Sequence, residues 1–229
     1  MSAEYDTIQL EKPLFSQCER CIIIGNSGSG KTCFTNNLIK KHSENFSKII
    51  ISGAAHSELL EFEETKSKTS IYKGSDLIFN PFTEIEQDPF EIHDNKQILL
   101  LYDDLMNEIS NSEIISNVFS RGRHLRLSVI VLVQTYFPKP GNHFTTIKNN
   151  STLQIFFRMR NQNEISLIAK RLEFTKDTQL FFLNIIKKIA QQVKWGYIAV
   201  FLEEVEERLK YRLNLLGEDG GEYQTIVTQ

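Results

Sequence analysis

The stretch CIIIGNSGSGKT at 21–32 restricts the possible folds of this chain more than any other. An apolar, β-branched run reads as a buried strand, and the glycine-rich turn after it opens a helical pattern over 31–42. Gly25, Gly30, Lys31 and Thr32 fill the pattern G-x-x-x-x-G-K-[ST]. The order is chemically required. Glycines let successive backbone N–H groups converge on a phosphate, and the following helix adds its positive N-terminal pole. The lysine reaches the β- and γ-phosphates, and the threonine hydroxyl ligates Mg²⁺. The nucleotide-binding set expected from this loop is Gly25, Asn26, Ser27, Gly28, Ser29, Gly30, Lys31, Thr32 and Cys33, with ATP and Mg²⁺ as cofactors.

A phosphate loop needs a sheet behind it. Further apolar runs occur at 48–53, 97–104, 127–135, 153–159 and 196–203, and most are continuous instead of alternating. Such runs suit strands covered on both faces, as in a parallel sheet flanked by helices. Helical patterns at 31–42, 107–120, 163–172 and 177–193 lie between them, which predicts an α/β fold with a mostly parallel central sheet. The alternating segment ERLKYRLNLL predicts a C-terminal β-hairpin with the 196–203 strand. One ATPase domain is expected over 18–216, after an N-terminal segment 1–17. Residues 54–96 read as an irregular insertion of short helices and loops, and 217–229 as a loose tail. At 229 residues the chain is long enough for such a core.

A magnesium-nucleotide site also needs a carboxylate at the end of a neighbouring strand. ILLLYDD supplies Asp103 for the metal, alongside Thr32, and Asp104 to polarise an attacking water. Either aspartate could instead cap the next helix. The run SRGRHLRLSVIVLVQT (120–135) predicts a strand beside that of Asp103, with Gln134 at its tip orienting the γ-phosphate or the water. Arg121 and Arg123 fall at the far end of this strand. They are read either as a solvated basic loop or as arginine fingers for a neighbouring subunit, which would require a ring.

With these motifs in order, the sequence resembles the FtsK–HerA superfamily of DNA-pumping P-loop ATPases, and within it the short viral genome-packaging ATPases of poxvirus, virophage and polinton-like type. GNSGSGKT, LLLYDD, RGRHLRLSVIVLVQT and IKNNSTLQIFFRMRNQNEI carry the resemblance, from about residue 18 to 215. It implies a RecA-like core and a homo-oligomeric ring, pentameric or hexameric. It also implies double-stranded DNA as the moved substrate and a viral capsid as destination. Arg158 becomes a second finger candidate after Arg123. The commoner Asp-Glu pair is Asp103–Asp104 here, which leaves the base less defined.

Rival readings are a P-loop kinase, whose Arg-rich lid has no counterpart here, an ATP-gated scaffold with little hydrolysis, and a non-packaging DNA translocase of the same superfamily. A GTPase lacks its Asn-Lys-x-Asp segment. The net charge of −3 excludes a protein that coats nucleic acid over its whole surface. Lys66, Lys68, Lys73, Lys139 and Lys148 are the candidates for local contact with DNA phosphates. No apolar run approaches the roughly 20 residues of a membrane span, and no secretory leader is visible, so a soluble protein of a virus factory in the host cytoplasm, or of the virion, is expected. Cys18 and Cys21 have C-x-x-C spacing, but packing is the simpler role. Trp195, Phe156, Phe157, Phe181 and Phe182 read as core.

Overall fold

In a computed structural model the structure describes residues 18–53, 67–72, 78–83, 96–138, 143–172, 175–192, 195–203, 211–214 and 224–225. The apolar runs become strands whose successive residues point to opposite faces, so each run feeds two cores at once. Ile22 and Ile24 of β1 (Arg20–Ile24) join one cluster, while Cys21 and Ile23 join the other. Strands β4 (Gln97–Asp103) and β5 (Leu127–Val133) divide the same way: Leu100, Tyr102, Val129 and Val131 to the first side, Leu99, Leu101, Ile130 and Leu132 to the second.

Among the described residues the sheet has nine strands, in the order β3-β2-β4-β5-β1-β6-β7-β8-β9. Besides those named, they are β2 (Phe46–Gly53), β3 (Thr69–Tyr72), β6 (Leu153–Phe156), β7 (Tyr197–Phe201), β8 (Tyr211–Asn214) and β9 (Gln224–Thr225). The six strands from β3 to β6 pair in parallel, and β7, β8 and β9 are added antiparallel. The expected hairpin is therefore present as β7–β8. Two further strands lie where none was expected. β3 forms from Thr-Ser-Ile-Tyr inside the irregular insertion, a β-branched and aromatic segment that suits a sheet edge. Gln224–Thr225, in the stretch expected as a loose tail, pairs with β8.

Helix α1 (Lys31–Lys41) packs Leu38 and Ile39 into the second cluster. The first cluster takes in helices α2 (Met106–Asn111), α3 (Glu113–Arg121), α4 (His143–Asn149), α5 (Gln162–Arg171) and α6 (Lys176–Gln192). The single helix expected over 107–120 is two, because Ser112 leaves the helical conformation (ψ 115°) and its hydroxyl accepts the Ile115 N–H at 3.1 Å. That makes it an N-cap. Helix α4 lies outside the helical patterns expected from the sequence, and its Phe144 and Ile147 are buried.

Replacing a serine N-cap by alanine typically costs about 1 kcal/mol. Ser112→Ala is expected to lower stability by roughly that amount, read as a shift of the urea midpoint with unchanged slope.

Candidate active site

The loop of residues 25–30 is fastened at its start on both sides. Gly25 N–H donates to Val133 O at 3.2 Å, and Asn26 N–H donates to Arg158 O at 3.1 Å. A Cβ at Gly25 would fall 2.7 Å from both Phe157 Cβ and Ser29 Oγ, so only glycine fits this strand-to-loop junction. At the other end Gly30 has φ +98°, in the left-handed region that favours glycine, and stands as the N-cap of α1. No side chain caps α1 there, and its first turn holds no acidic residue. Its positive pole is thus left to an anion. The Asn26 Oδ1 and Ser29 Oγ atoms are buried without hydrogen-bond partners. A polar cradle with unsatisfied atoms fits a hydrogen-bonding ligand.

This loop opens on a cleft of about 430 Å³ lined by residues 27–33 together with Asp103, Asp104, Leu132, Gln134 and Trp195. Lys31 Nζ donates to Gly25 O at 2.6 Å and Asn26 O at 3.1 Å. Burial pulls its pKa below the ordinary lysine value, and the charges of Asp103 and Asp104 oppose that shift.

The topology brings the acidic pair and the glutamine to the same rim. β5 pairs in parallel with β1 on one side and β4 on the other, with Val133 opposite Ile24 and Leu132 opposite Asp103. Asp103, half-buried, ends β4. Asp104 follows with φ +54°, and its Oδ1 accepts from Gln134 Nε2 at 3.0 Å. Aspartate enters the left-handed region more readily than most residues. That is a physical reason for a second Asp where relatives of this motif carry the longer Glu. Thr32 and Cys33 are exposed at the first turn of α1.

The arginines divide between the two edges of the sheet. Arg121 ends α3, and its guanidinium lies 5.8 Å from the centre of the Phe82 ring. Arg123 lies in the 3-10 turn Gly122–Leu125 that leads into β5. Seven strand residues, about 23 Å of extended chain, separate this turn from Gln134. Arg158 is exposed just beyond β6, on the same edge as the loop, and its carbonyl holds Asn26.

Two expectations are overturned. Trp195 is not core: it is 36% exposed and lines the cleft, because it precedes β7, whose antiparallel course starts at the rim where β6 ends. Phe156, Phe157 and Phe182 are buried, with Phe181 packed partly against them. Lys148 is not a DNA contact. It is buried, donates to Tyr136 O at 3.1 Å, and sits 4.5–5.4 Å from the ring centres of Tyr136, Phe137 and Phe144. Lys68 donates to the carbonyls of Ser43 and Phe46 at 2.5 and 3.3 Å. Lys66, Lys73 and Lys139 lie outside the described residues. Cys21 is buried in β1, where desolvation pushes its thiol pKa well up, and Cys18 is shifted the same way by burial.

One participant was missed in the sequence. Glu164 Oε1 accepts from Thr135 Oγ1 at 2.5 Å and from Tyr136 N–H at 2.6 Å, clamping the two residues after Gln134. Asn161 caps α5 by accepting from Asn163 and Glu164 N–H. Asn-x-x-Glu is the signature of a capping box, which signals a helix start and hides the carboxylate's reach across to β5.

A family model described as "Poxvirus A32 protein" matches residues 7–211. The chain belongs to that family. Among solved structures, the genome packaging NTPase B204 of Sulfolobus turreted icosahedral virus 2, bound to ATP-gammaS, has a TM-score of 0.55 at 16% identity, over 80% of this chain and 91% of that one. EccC of Thermomonospora curvata (ATPases 2 and 3, with a signal sequence peptide) gives 0.51 at 11% identity, over 91% of this chain and 38% of that one. At such identities the likeness is one of fold, which this chain shares with both. No curated protein sequence matches the chain.

Burial and the charge of Arg171 pull the Lys148 pKa down to about 8, against the opposing pull of Glu164. Between that value and the unfolded lysine value of about 10.4, the unfolded chain binds the proton and the folded one does not, so stability from this group rises with pH. The stability of wild type relative to Lys148→Met is therefore expected to increase from pH 8 to pH 10, measured by urea denaturation at each pH.

Proposed function

We propose that this chain is an ATP-hydrolysing motor that moves double-stranded DNA into a viral capsid, working as a homo-oligomeric ring. The observation that carries the reading is the rim of the sheet, where the phosphate loop, Asp103, and the Asp104–Gln134 pair at 3.0 Å line one cleft. Membership of the Poxvirus A32 family and the fold shared with a genome packaging NTPase support the genome-packaging role.

In this reading the backbone N–H groups of 27–32 and the Lys31 ammonium hold the triphosphate, Lys31 exchanging its loop carbonyls for phosphate oxygens. Thr32 and Asp103 would hold Mg²⁺, which supplies charge neutralisation on the β- and γ-phosphate oxygens. Gln134 orients the attacking water and Asp104 accepts its proton. Arg123 is the first candidate for a finger donated to the neighbouring subunit's cleft, because its own cleft is on the far edge of the sheet. Arg121 lies beside it, and Arg158, on the loop's own edge, is the second candidate. A ring of five or six subunits, acting in the virus factory or on the virion, completes the proposal. Among the described residues no helix is long and apolar enough to cross a membrane.

Turnover of ATP by the purified protein, with and without double-stranded DNA, tests this directly. Lys31→Ala is expected to remove hydrolysis. Arg123→Ala should lower it by about a thousandfold, in the range of a lost arginine finger, and should poison wild type when mixed in at small fractions. Proportional dilution in place of poisoning would exclude Arg123 as a finger in trans, and transfer of phosphate to a nucleotide acceptor would mark a kinase instead.

The clamp on the β5 tip generates a separate expectation. Glu164→Ala should slow hydrolysis by about tenfold while leaving ATP affinity within about twofold, since displacing a positioning group costs rate more than binding. Steady-state kinetics beside calorimetric titration would show the split.

A further inference from the structure

Trp195 is an exposed aromatic residue beside the phosphate loop. The indole lies against the loop: a Cβ placed on Gly30 would fall 2.8 Å from Trp195 Cδ1 and 3.3 Å from Cγ. Glycine at 30 thus serves both the positive φ and this close approach. Trp195 lines the same cleft as the phosphate loop and the acidic pair. It sits on the opposite flank from that pair. The strand order β4-β5-β1-β6-β7 puts Asp103, at the end of β4, two strands to one side of the loop strand, and Trp195, just before β7, two strands to the other. With neighbouring strands about 4.8 Å apart, the two flanks stand roughly 19 Å apart.

This arrangement gives the cleft a direction. The metal and the terminal phosphate belong at the carboxylate flank, because only there are Asp103, Asp104 and Gln134 available. The triphosphate then runs across the loop, and the nucleoside emerges on the Trp195 flank. An exposed indole at that position has an aromatic surface to offer a flat heterocycle. We infer that Trp195 is the stacking platform for the nucleobase of the bound nucleoside triphosphate. The inference rests on the ATP-binding reading above and adds the residue that holds the base. Stacking accepts any base, since each has a π-face. A stacking contact alone discriminates little between bases, so ATP and GTP are expected to bind with affinities within a few-fold of each other.

The chain contains one tryptophan, so its intrinsic tryptophan fluorescence reports on this position alone. The test titrates wild type, Trp195→Ala and Trp195→Phe with Mg-ATP, Mg-GTP and Mg-tripolyphosphate by calorimetry, with fluorescence followed for wild type. Quenching by both nucleotides is expected. Trp195→Ala should weaken ATP and GTP about tenfold, within the range of lost base–aromatic stacking. Trp195→Phe should stay near wild type, and tripolyphosphate should bind all three alike. Equal loss of tripolyphosphate and ATP affinity in Trp195→Ala would overturn the inference and make the indole a prop for the Gly30 turn. Unchanged ATP affinity in that variant would overturn it as well, leaving the ATP-binding reading intact. Wild type that binds neither nucleotide nor tripolyphosphate would remove both readings together.

Discussion

The site depends on one arrangement, the insertion of β5 between β1 and β4 with all three strands parallel. In a parallel sheet every C-terminal end lies on the same edge, so chemistry carried at strand tips converges there. Here the loop after Ile24, the carboxylate of Asp103 and the amide of Gln134 come from segments far apart in sequence. The register decides whether they meet. A slip of β5 by one residue would turn each of its side chains to the other face. Its seven fully buried residues divide between two cores, with Val129 and Val131 on one side and Ile130 and Leu132 on the other, so either slip would mismatch both.

The parts of the structure legible in the sequence were those where one strong local signal had one meaning. Continuous apolar runs gave β1, β4, β5 and β6, and the glycine-lysine-threonine pattern placed the loop and α1. The tips of β4 and β5 could be paired in thought because phosphate chemistry needs an acid beside the loop. Less legible were features set by a balance of weak signals. Ser112 splits a helical pattern through a single side-chain bond, which periodicity does not register. Thr69–Tyr72 becomes a strand because an open parallel edge on β2 receives it.

The two misplaced side chains fail for a shared reason. Trp195 and Lys148 were assigned by residue type, the one inward as a large aromatic and the other outward as a charge. Each is decided by its neighbours. Lys148 is drawn inward by a carbonyl and three aromatic rings, and its alkyl stem suits an apolar surrounding. Trp195 is brought to the rim by the direction of β7, and a glycine with no side chain lets its indole lie against the loop.

The Glu164 clamp has a mechanical consequence. One carboxylate oxygen holds both Thr135 and Tyr136, and it belongs to the first turn of α5. The Tyr136 carbonyl is held in turn by Lys148 of α4. The segment after Gln134 is therefore riveted to two helices. It shifts by breaking several short polar bonds together or by taking those helices with it. A displacement of the β5 tip, small at its origin, would travel as the tilt of whole rods toward the surface that α4 and α5 present.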